Sequence, residues 1–497
     1  MKKKIHLIII VTFFLVTSAL AKSQWETAIS EYNEYSLPLV NVEVDVSGLS
    51  KESYIPGHIT IVDAEMRTEG RLIASFDCKL RYRGASSLKY EKKSFAIKLL
   101  DSDGENLDAN VFGIRKENDW ILDANVFGIR KENDWILDAM AIDRIRMRNR
   151  VCFDIWNEIS KTPYKTDFDN RNGTLGQFVE VYLNGDYHGL YCMTDKIDRK
   201  LLGLKKAKEQ SDGSVYVRGV LYKGEAWTDA TRMAGYDTSE SFDEESWNGW
   251  ELQYPDDYPC YDAWKPLMNL IDFCNTRNAF FKLHYRQHFY YDNLVDYAIF
   301  IMAHNIIDNN VKNTHFSSPD INVNETYLIT PWDLDCSLGG LYEGSHYEVY
   351  TKISELTSNY LYYQLYVYNV DNFRTNMKER WQELSSGIMS AENFNVRLDA
   401  YAKRFKESGA WQREYDKWNN NPVPLDLDAE LEYVKNWYVK NISTLNKILG
   451  VIADDIPSVF LNTDTDNIKM YNIDGTRIMS NPNIGRLYIM DGKKVIK

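Results

Sequence analysis

Tyr327-Leu-Ile-Thr-Pro-Trp-Asp-Leu-Asp-Cys-Ser-Leu-Gly-Gly340 is the stretch on which the reading of this chain turns. An apolar, β-prone run (Tyr327, Leu328, Ile329) stops at Pro331, and two carboxylates, Asp333 and Asp335, follow at once. Residues two apart in extended backbone point the same way, so both are expected to face one pocket at a strand's end. Two like charges that close repel unless a cation lies between them. Hard divalent cations take carboxylate oxygens, and Mg²⁺ characteristically uses one or two of them plus substrate phosphates. An Asp-rich turn is the competing explanation of any lone D-x-D. Trp332 and the apolar run before it favour a built site.

Around that stretch lies a chain of 497 residues, 44% hydrophobic and 26% charged, which is ordinary globular composition. The formal charge of −14 argues against a broad nucleic-acid-binding face. Met1-Lys-Lys-Lys4, an apolar run over Ile5–Leu20 and Ala19-Leu-Ala21 predict a signal peptide over residues 1–21, with Lys22 as the mature N-terminus. The apolar run is short for a retained membrane anchor. The chain is therefore expected to be exported, to the periplasm, the cell surface or the medium. Six cysteines stand without C-x-x-C spacing, so zinc is not expected, and no disulfide pairing follows from their positions.

Residues 22–36 form a polar lead-in. From Leu37-Pro-Leu-Val40 onward, β-type alternation marks Val42–Val46, His58–Val62, Ser75–Tyr82 and Lys92–Leu100. Leu107–Ile121 (LDANVFGIRKENDWI) recurs unchanged as Leu122–Ile136. A unit appearing twice is no solenoid. It reads as a recent tandem duplication or an assembly artefact, with the first copy looped out. Asp138–Ile159 has helical apolar spacing interleaved with Arg144, Arg146, Arg148 and Arg150. Phe178–Met193 predicts a hairpin about Asn184-Gly185. Lys196–Lys208 reads as a basic helix or turn, and Glu209–Asp257 as an irregular excursion. Helical spacing dominates Ala263–Ile307, Tyr350–Ile388 and Ala391–Leu449, and a small β module with Asp-Gly turns occupies residues 458–497. A β-rich first part followed by helices is α+β.

Upstream of the D-x-D, Asp308 and Asn313 stand five apart, and Phe95-Ala-Ile-Lys98 lies on a predicted strand. Phosphoryl transfer needs such a set: a carboxylate to orient the incoming hydroxyl, an amide and carboxylates for Mg²⁺, and a Lys for nucleotide phosphates. Protein kinases use V-A-I-K, then D-x-x-x-x-N, then a metal-binding Asp. The kinase G-x-G-x-x-G loop is absent; Arg83-Gly-Ala-Ser-Ser87 stands in its place, offering a guanidinium, hydroxyls and a Gly turn to phosphate oxygens.

The ordered motifs Leu37–Val40 (LPLV), Arg81–Leu99 (RYRGASSLKYEKKSFAIKL), Asp134–Val151, Val181–Asp198 and Ile329–Asp335 resemble the spore-coat CotH kinase family of secreted atypical kinases, over about residues 37–455. The resemblance implies an atypical protein-kinase-like two-lobed fold, with a β-rich N-lobe and a mainly helical C-lobe. It implies ATP with Mg²⁺ or Mn²⁺ as cofactors and Ser (or Thr) of exported or surface proteins as acceptor. Carried onto this sequence, Asp308 and Asp333 become the catalytic residues. Asp333, Asp335 and Asn313 become metal ligands or their supports, and Lys98 or Lys93, with Arg83 and Ser87, the nucleotide-binding set. Glu158 or Asp154 is the implied partner of that Lys. Thr194-Asp-Lys196 departs from the family's Glu-before-Lys, which leaves the adenine contacts open. The C-terminal module looks like a sorting domain of exported proteins.

The reading from a different class is a catalytically inactive protein of the same fold, acting as a surface structural, glycan-binding or protein-binding module. The 34 Tyr and 13 Trp and the scarcity of ATP outside the cytoplasm motivate it. A glycosidase fits poorly, because carboxylates two residues apart sit side by side whereas a catalytic pair flanks the scissile bond.

Overall fold

The computed structural model describes residues 23–63, 73–107, 134–164, 171–242 and 244–451, together with three short strands nearer the C-terminus. The expected signal peptide and, but for Leu107, the first copy of the duplicated unit, which was expected to loop out, lie outside the described residues. The chain divides into two compact units, residues 1–453 and 454–497. Among the described residues no helix is long and apolar enough to cross a membrane.

The polar lead-in carries a short helix, α1 (Gln24–Glu31), started by a capping box in which Ser23 and Glu26 satisfy each other's backbone N–H. The alternating segments then form strands β1 (Leu39–Val44), β2 (Ile55–Val62), β3 (Ile73–Arg83), β4 (Ser94–Leu100), β5 (Asp134–Asp138), β6 (Gly176–Leu183) and β7 (Asp186–Asp195). They close into a barrel in the order β1-β2-β3-β4-β5-β7-β6, sealed by parallel pairing of β1 with β6. Closure leaves no free edge. Phe95, Ile97 and Leu99 point inward with Leu80, Trp135, Leu137 and Tyr191, which puts Ser94, Ala96 and Lys98 on the outer face of β4. The second copy of the repeat supplies β5 through Asp134-Trp-Ile136. The β6–β7 hairpin turns on Asn184 and Gly185, both at positive φ as a two-residue turn requires.

Only Arg148–Ile159 of the expected Asp138–Ile159 helix is helical (α2). Residues 139–147 are turns, because Asp143 spends its carboxylate on the backbone N–H groups of Ile145 and Arg148 and on the Arg148 guanidinium. Met140 and Arg146 take positive φ there.

The expected irregular excursion Glu209–Asp257 is mostly turns and loops, but it carries strands that the residue pattern did not show. After a small hairpin of β8 (Lys208–Glu209) and β9 (Val215–Tyr216), strands β10 (Val220–Gly224), β11 (Ser246–Trp247) and β12 (Trp250–Tyr254) form. They join β13 (Thr314–Ser318) and β14 (Leu328–Pro331) in the order β11-β12-β10-β13-β14. Helices α3 (Tyr261–Cys274), α4 (Asn278–His288) and α5 (Tyr291–His304) divide the predicted helical run, and α5 is buried along nearly its whole length. The helical part is completed by α6 (Ile353–Leu356), α7 (Tyr360–Val367), α8 (Phe373–Ser386), α9 (Ala391–Glu407), α10 (Ala410–Trp418) and α11 (Leu427–Leu449). In the second unit β15 (Met470–Asn472), β16 (Leu487–Met490) and β17 (Lys493–Ile496) pair antiparallel.

A buried ionic knot joins barrel to helices. Glu414 of α10 accepts from Lys92 at 2.6 Å and from Arg146 at 2.7 Å, all three side chains fully buried, and from the backbone N–H of Leu190 at 2.7 Å. Burial opposes ionisation of Glu414, but the two cations outweigh it and hold the carboxyl below its ordinary value. Its stabilisation is therefore present above the usual carboxylate range and lost as pH falls through the depressed value. Burial pulls the Lys92 ammonium down to about 7 even with Glu414 beside it, so Glu414→Gln strands the buried Arg146 and forces Lys92 to lose its proton or its partner; it is expected to cost about 3–5 kcal/mol in urea unfolding at neutral pH, with a smaller difference from wild type in acid. Equal stability of the two proteins at pH 7 would contradict this account.

Candidate active site

Asp308 is delivered by the end of the most buried helix. α5 stops at Asn305, whose left-handed conformation turns the chain into a single 3₁₀ turn, Asp308–Asn310. Asn309 then ties that turn to the D-x-D strand end: its Nδ2 donates to the Trp332 carbonyl at 3.0 Å, and its Oδ1 accepts from the Trp332 N–H at 3.3 Å. Tyr297 of α5 donates to the Asn309 carbonyl at 2.8 Å. Asn313, at positive φ, accepts the Trp332 N–H on its own carbonyl at 2.9 Å, and its amide Nδ2 donates to Asp333 Oδ2 at 3.2 Å. Asp308, Asn313 and Asp333 are thus held about one backbone segment, Trp332–Asp333.

Strand β14 ends at Pro331, and Asp333 has φ 58°, so the D-x-D is not extended. The alternation expected to aim both carboxylates does not apply. They nonetheless share an environment. Burial raises the Asp333 carboxyl above its ordinary value, and Asp138 adds to the rise while Arg83 opposes it. Burial, then the charge of Asp333, pushes Asp335 well above. Asp138 caps the end of β5 and is a site residue that sequence reasoning missed. It accepts from Asn149 Nδ2 at 3.0 Å, from Ser94 Oγ at 3.4 Å and from the Met140 N–H at 3.1 Å. Asn149 in turn accepts the Leu334 N–H at 3.2 Å, so one amide bridges the barrel's Asp138 to the middle of the D-x-D. Arg83, at the end of β3 opposite Ser94, lays its guanidinium 5.4 Å from the centre of the Trp332 ring, in the field of Asp138 and Asp333.

Residues 80–445 match a family model described as CotH kinase protein. The chain belongs to the CotH kinase family. No curated protein matches it. Membership suggests kinase-like chemistry, for which ATP and a divalent cation are the general cofactors.

Against that family background the cations divide clearly. A small cavity beside the carboxylates is lined by Arg83, Lys196, Lys223, Gln253, His315 and Trp332. Lys223, paired with Glu225 at 3.0 Å and Glu251 at 3.2 Å, comes from the sheet that the sequence reading had left irregular. His315 is kept neutral by burial and by Lys223 and Lys196. Lys98 is on the outer face of β4, as Arg83 is on that of β3, but four residues from Ser94, about 13 Å along the strand. There its ammonium lies 3.6 Å from Asp134 and over the Tyr54 ring. Neither Glu158 nor Asp154 is its partner: Glu158 pairs with Arg397, and Asp154 with Arg150 and Tyr401. Lys93 points the other way, donating to the carbonyls of Leu88 at 2.9 Å and Tyr90 at 2.6 Å, so it shapes the turn after β3 rather than facing the carboxylates. Ser87 sits in that turn, its Oγ 2.2 Å from where a Cβ on Gly84 would be. Gly84, at φ 117°, has no room for a side chain.

Among the described residues no three His, Cys, Asp or Glu side chains form a preformed metal cage. Two carboxylates whose ionisation is disfavoured, with a neutral amide alongside, suit a Mg²⁺-type ion that takes its remaining oxygens from phosphates and water. The donor set fits the family's cofactor. Because the Asp333 and Asp335 carboxyls are raised in the folded state, their contribution to stability falls as pH rises through and above the ordinary carboxylate range. Mn²⁺ is expected to raise the melting temperature more at pH 7.5 than at pH 5, and Asp335→Asn to flatten the pH dependence and diminish the Mn²⁺ shift. Identical Mn²⁺ shifts in wild type and Asp335→Asn would contradict the assignment.

Proposed function

We propose that this protein is an exported atypical kinase that transfers the γ-phosphate of ATP, in a metal-dependent reaction, to Ser or Thr hydroxyls of surface or secreted proteins. In this reading the barrel is the smaller lobe and the helical part the larger of a two-lobed, kinase-like arrangement, and residues 458–497 serve as a sorting module. The observation that carries it is the tethering of Asn309, next to Asp308, and of Asn313 to the Trp332 backbone, with Asn313 bonded to Asp333 and with Arg83 and Lys223 lining the cavity beside them.

Asp308 has the role of accepting the proton of the incoming hydroxyl. Asp333 and Asn313, supported by Asp335, would hold the divalent cation, which supplies charge neutralisation between phosphates when bound. Arg83 and Lys223 bind phosphate oxygens, Arg83 through a fork that can contact two oxygens at once. Lys98 stands on the same outer face for the distal part of the nucleotide, where it must exchange Asp134 for its ligand.

Purified protein with labelled ATP, Mn²⁺ and dephosphorylated casein is expected to transfer phosphate. Asp333→Ala and Asp308→Asn are each expected to lower transfer by about a hundredfold or more. Undiminished transfer by Asp333→Ala would remove the assignment. Absence of both transfer and an ATP-and-metal melting shift in wild type would favour the non-catalytic module.

A further inference from the structure

Trp227 stands where the established motifs assign nothing. It is 42% exposed, unusual for so large an aromatic side chain, and its indole Nε1 donates to Asp308 Oδ1 at 3.2 Å. The other oxygen of the same carboxylate, Oδ2, meets Lys312 Nζ at 3.0 Å. Each Asp308 oxygen therefore has its own donor, and rotation of the carboxylate is fixed from both sides.

The loop that carries Trp227 is rigid for reasons visible in its bonds. Glu225 N–H and Ala226 N–H both donate to the Gly249 carbonyl, at 2.8 and 3.2 Å. Thr231, fully buried, donates to the Ala226 carbonyl at 2.7 Å, and Thr228 donates to the Asn248 carbonyl at 2.7 Å. Gly249, at φ 84°, packs so closely on Thr228 that a Cβ there would lie 2.7 Å from Thr228 Cγ2. The Arg232 guanidinium covers the indole ring at 5.6 Å from its centre. An indole held this firmly, yet open to solvent, is not explained by core packing.

We infer that Trp227 is a positioning residue for phosphoryl transfer, its indole N–H fixing the Asp308 carboxylate in the orientation that receives the acceptor hydroxyl. The inference rests on the kinase reading above. It separates two functions that a structural tryptophan would not separate. Trp227→Phe keeps a ring on the loop and removes the donor, so Asp308 becomes free to rotate about Lys312.

Trp227→Phe is expected to lower kcat for casein phosphorylation by roughly ten- to a hundredfold, the worth of one hydrogen bond to a charged group. The KM for ATP and the melting temperature should stay at wild-type values. Full kcat in Trp227→Phe, or a loss of kcat matched by a loss of ATP affinity, would overturn the inference. A second readout does not depend on turnover. The indole ¹H–¹⁵N resonance that disappears in Trp227→Phe should shift in Asp308→Asn. An unmoved resonance overturns the contact, whereas a moved resonance in a protein without transfer supports the contact and counts against the kinase reading alone.

Discussion

Asp333 and Asp335 lie in one another's field just past the end of β14, and Asp138 faces them from the end of β5. Holding several like charges close together is costly unless protons or a cation neutralise them. The surrounding structure has to hold the site in place without discharging it. Arg83 and Lys223 oppose the negative field at Asp333, and Lys223 is already shared between Glu225 and Glu251.

The supports are instead mostly asparagines. Asn309 grips both polar groups of the Trp332 backbone, Asn149 links Asp138 to Leu334, Asn313 holds Asp333, and Asn293 of α5 pairs with both backbone groups of Ile329 at 3.0 and 2.8 Å. The Asn293 contact also closes the outer edge of β14, which has no further strand beside it among the described residues. Amides fix geometry through paired donors and acceptors and add no charge. The negative potential is thereby left in place, while the ionic work of joining barrel to helices is done elsewhere, by Glu414 with Lys92 and Arg146.

Much of this was legible in the sequence because it is local. Alternation marked β1 to β4, Asn184-Gly185 marked the hairpin, and Asp308, Asn313 and the D-x-D stood at recognisable spacing. The rest depends on contacts between distant segments. Strands β10 and β12 are short and embedded in Gly-, Ser- and Trp-rich sequence, so their pairing with β13 carried no periodic signal, and Lys223 and Trp227 were lost with them. Asp138 could have been found as an Asp closing the apolar strand Trp135-Ile-Leu137. The helical spacing of residues 139–147 misled because Asp143 and Arg146 satisfy backbone groups in turns. Lys98 lies on the outer face of β4, whereas Lys93 precedes the strand and is held by the carbonyls of the turn before it, which spacing along the chain does not reveal. Asp333 lies past β14, where strand alternation no longer applies.

The central claim is that the tethered carboxylates and Asn313 form a cation site completed by nucleotide phosphates. A crystal structure with Mn²⁺ and a non-hydrolysable ATP analogue, read by anomalous scattering, tests it most directly. The account predicts a manganese ion coordinated by Asp333 and the Asn313 amide oxygen, with phosphate oxygens on Arg83. A nucleotide bound without metal at these residues, or manganese bound only elsewhere on the chain, would contradict it.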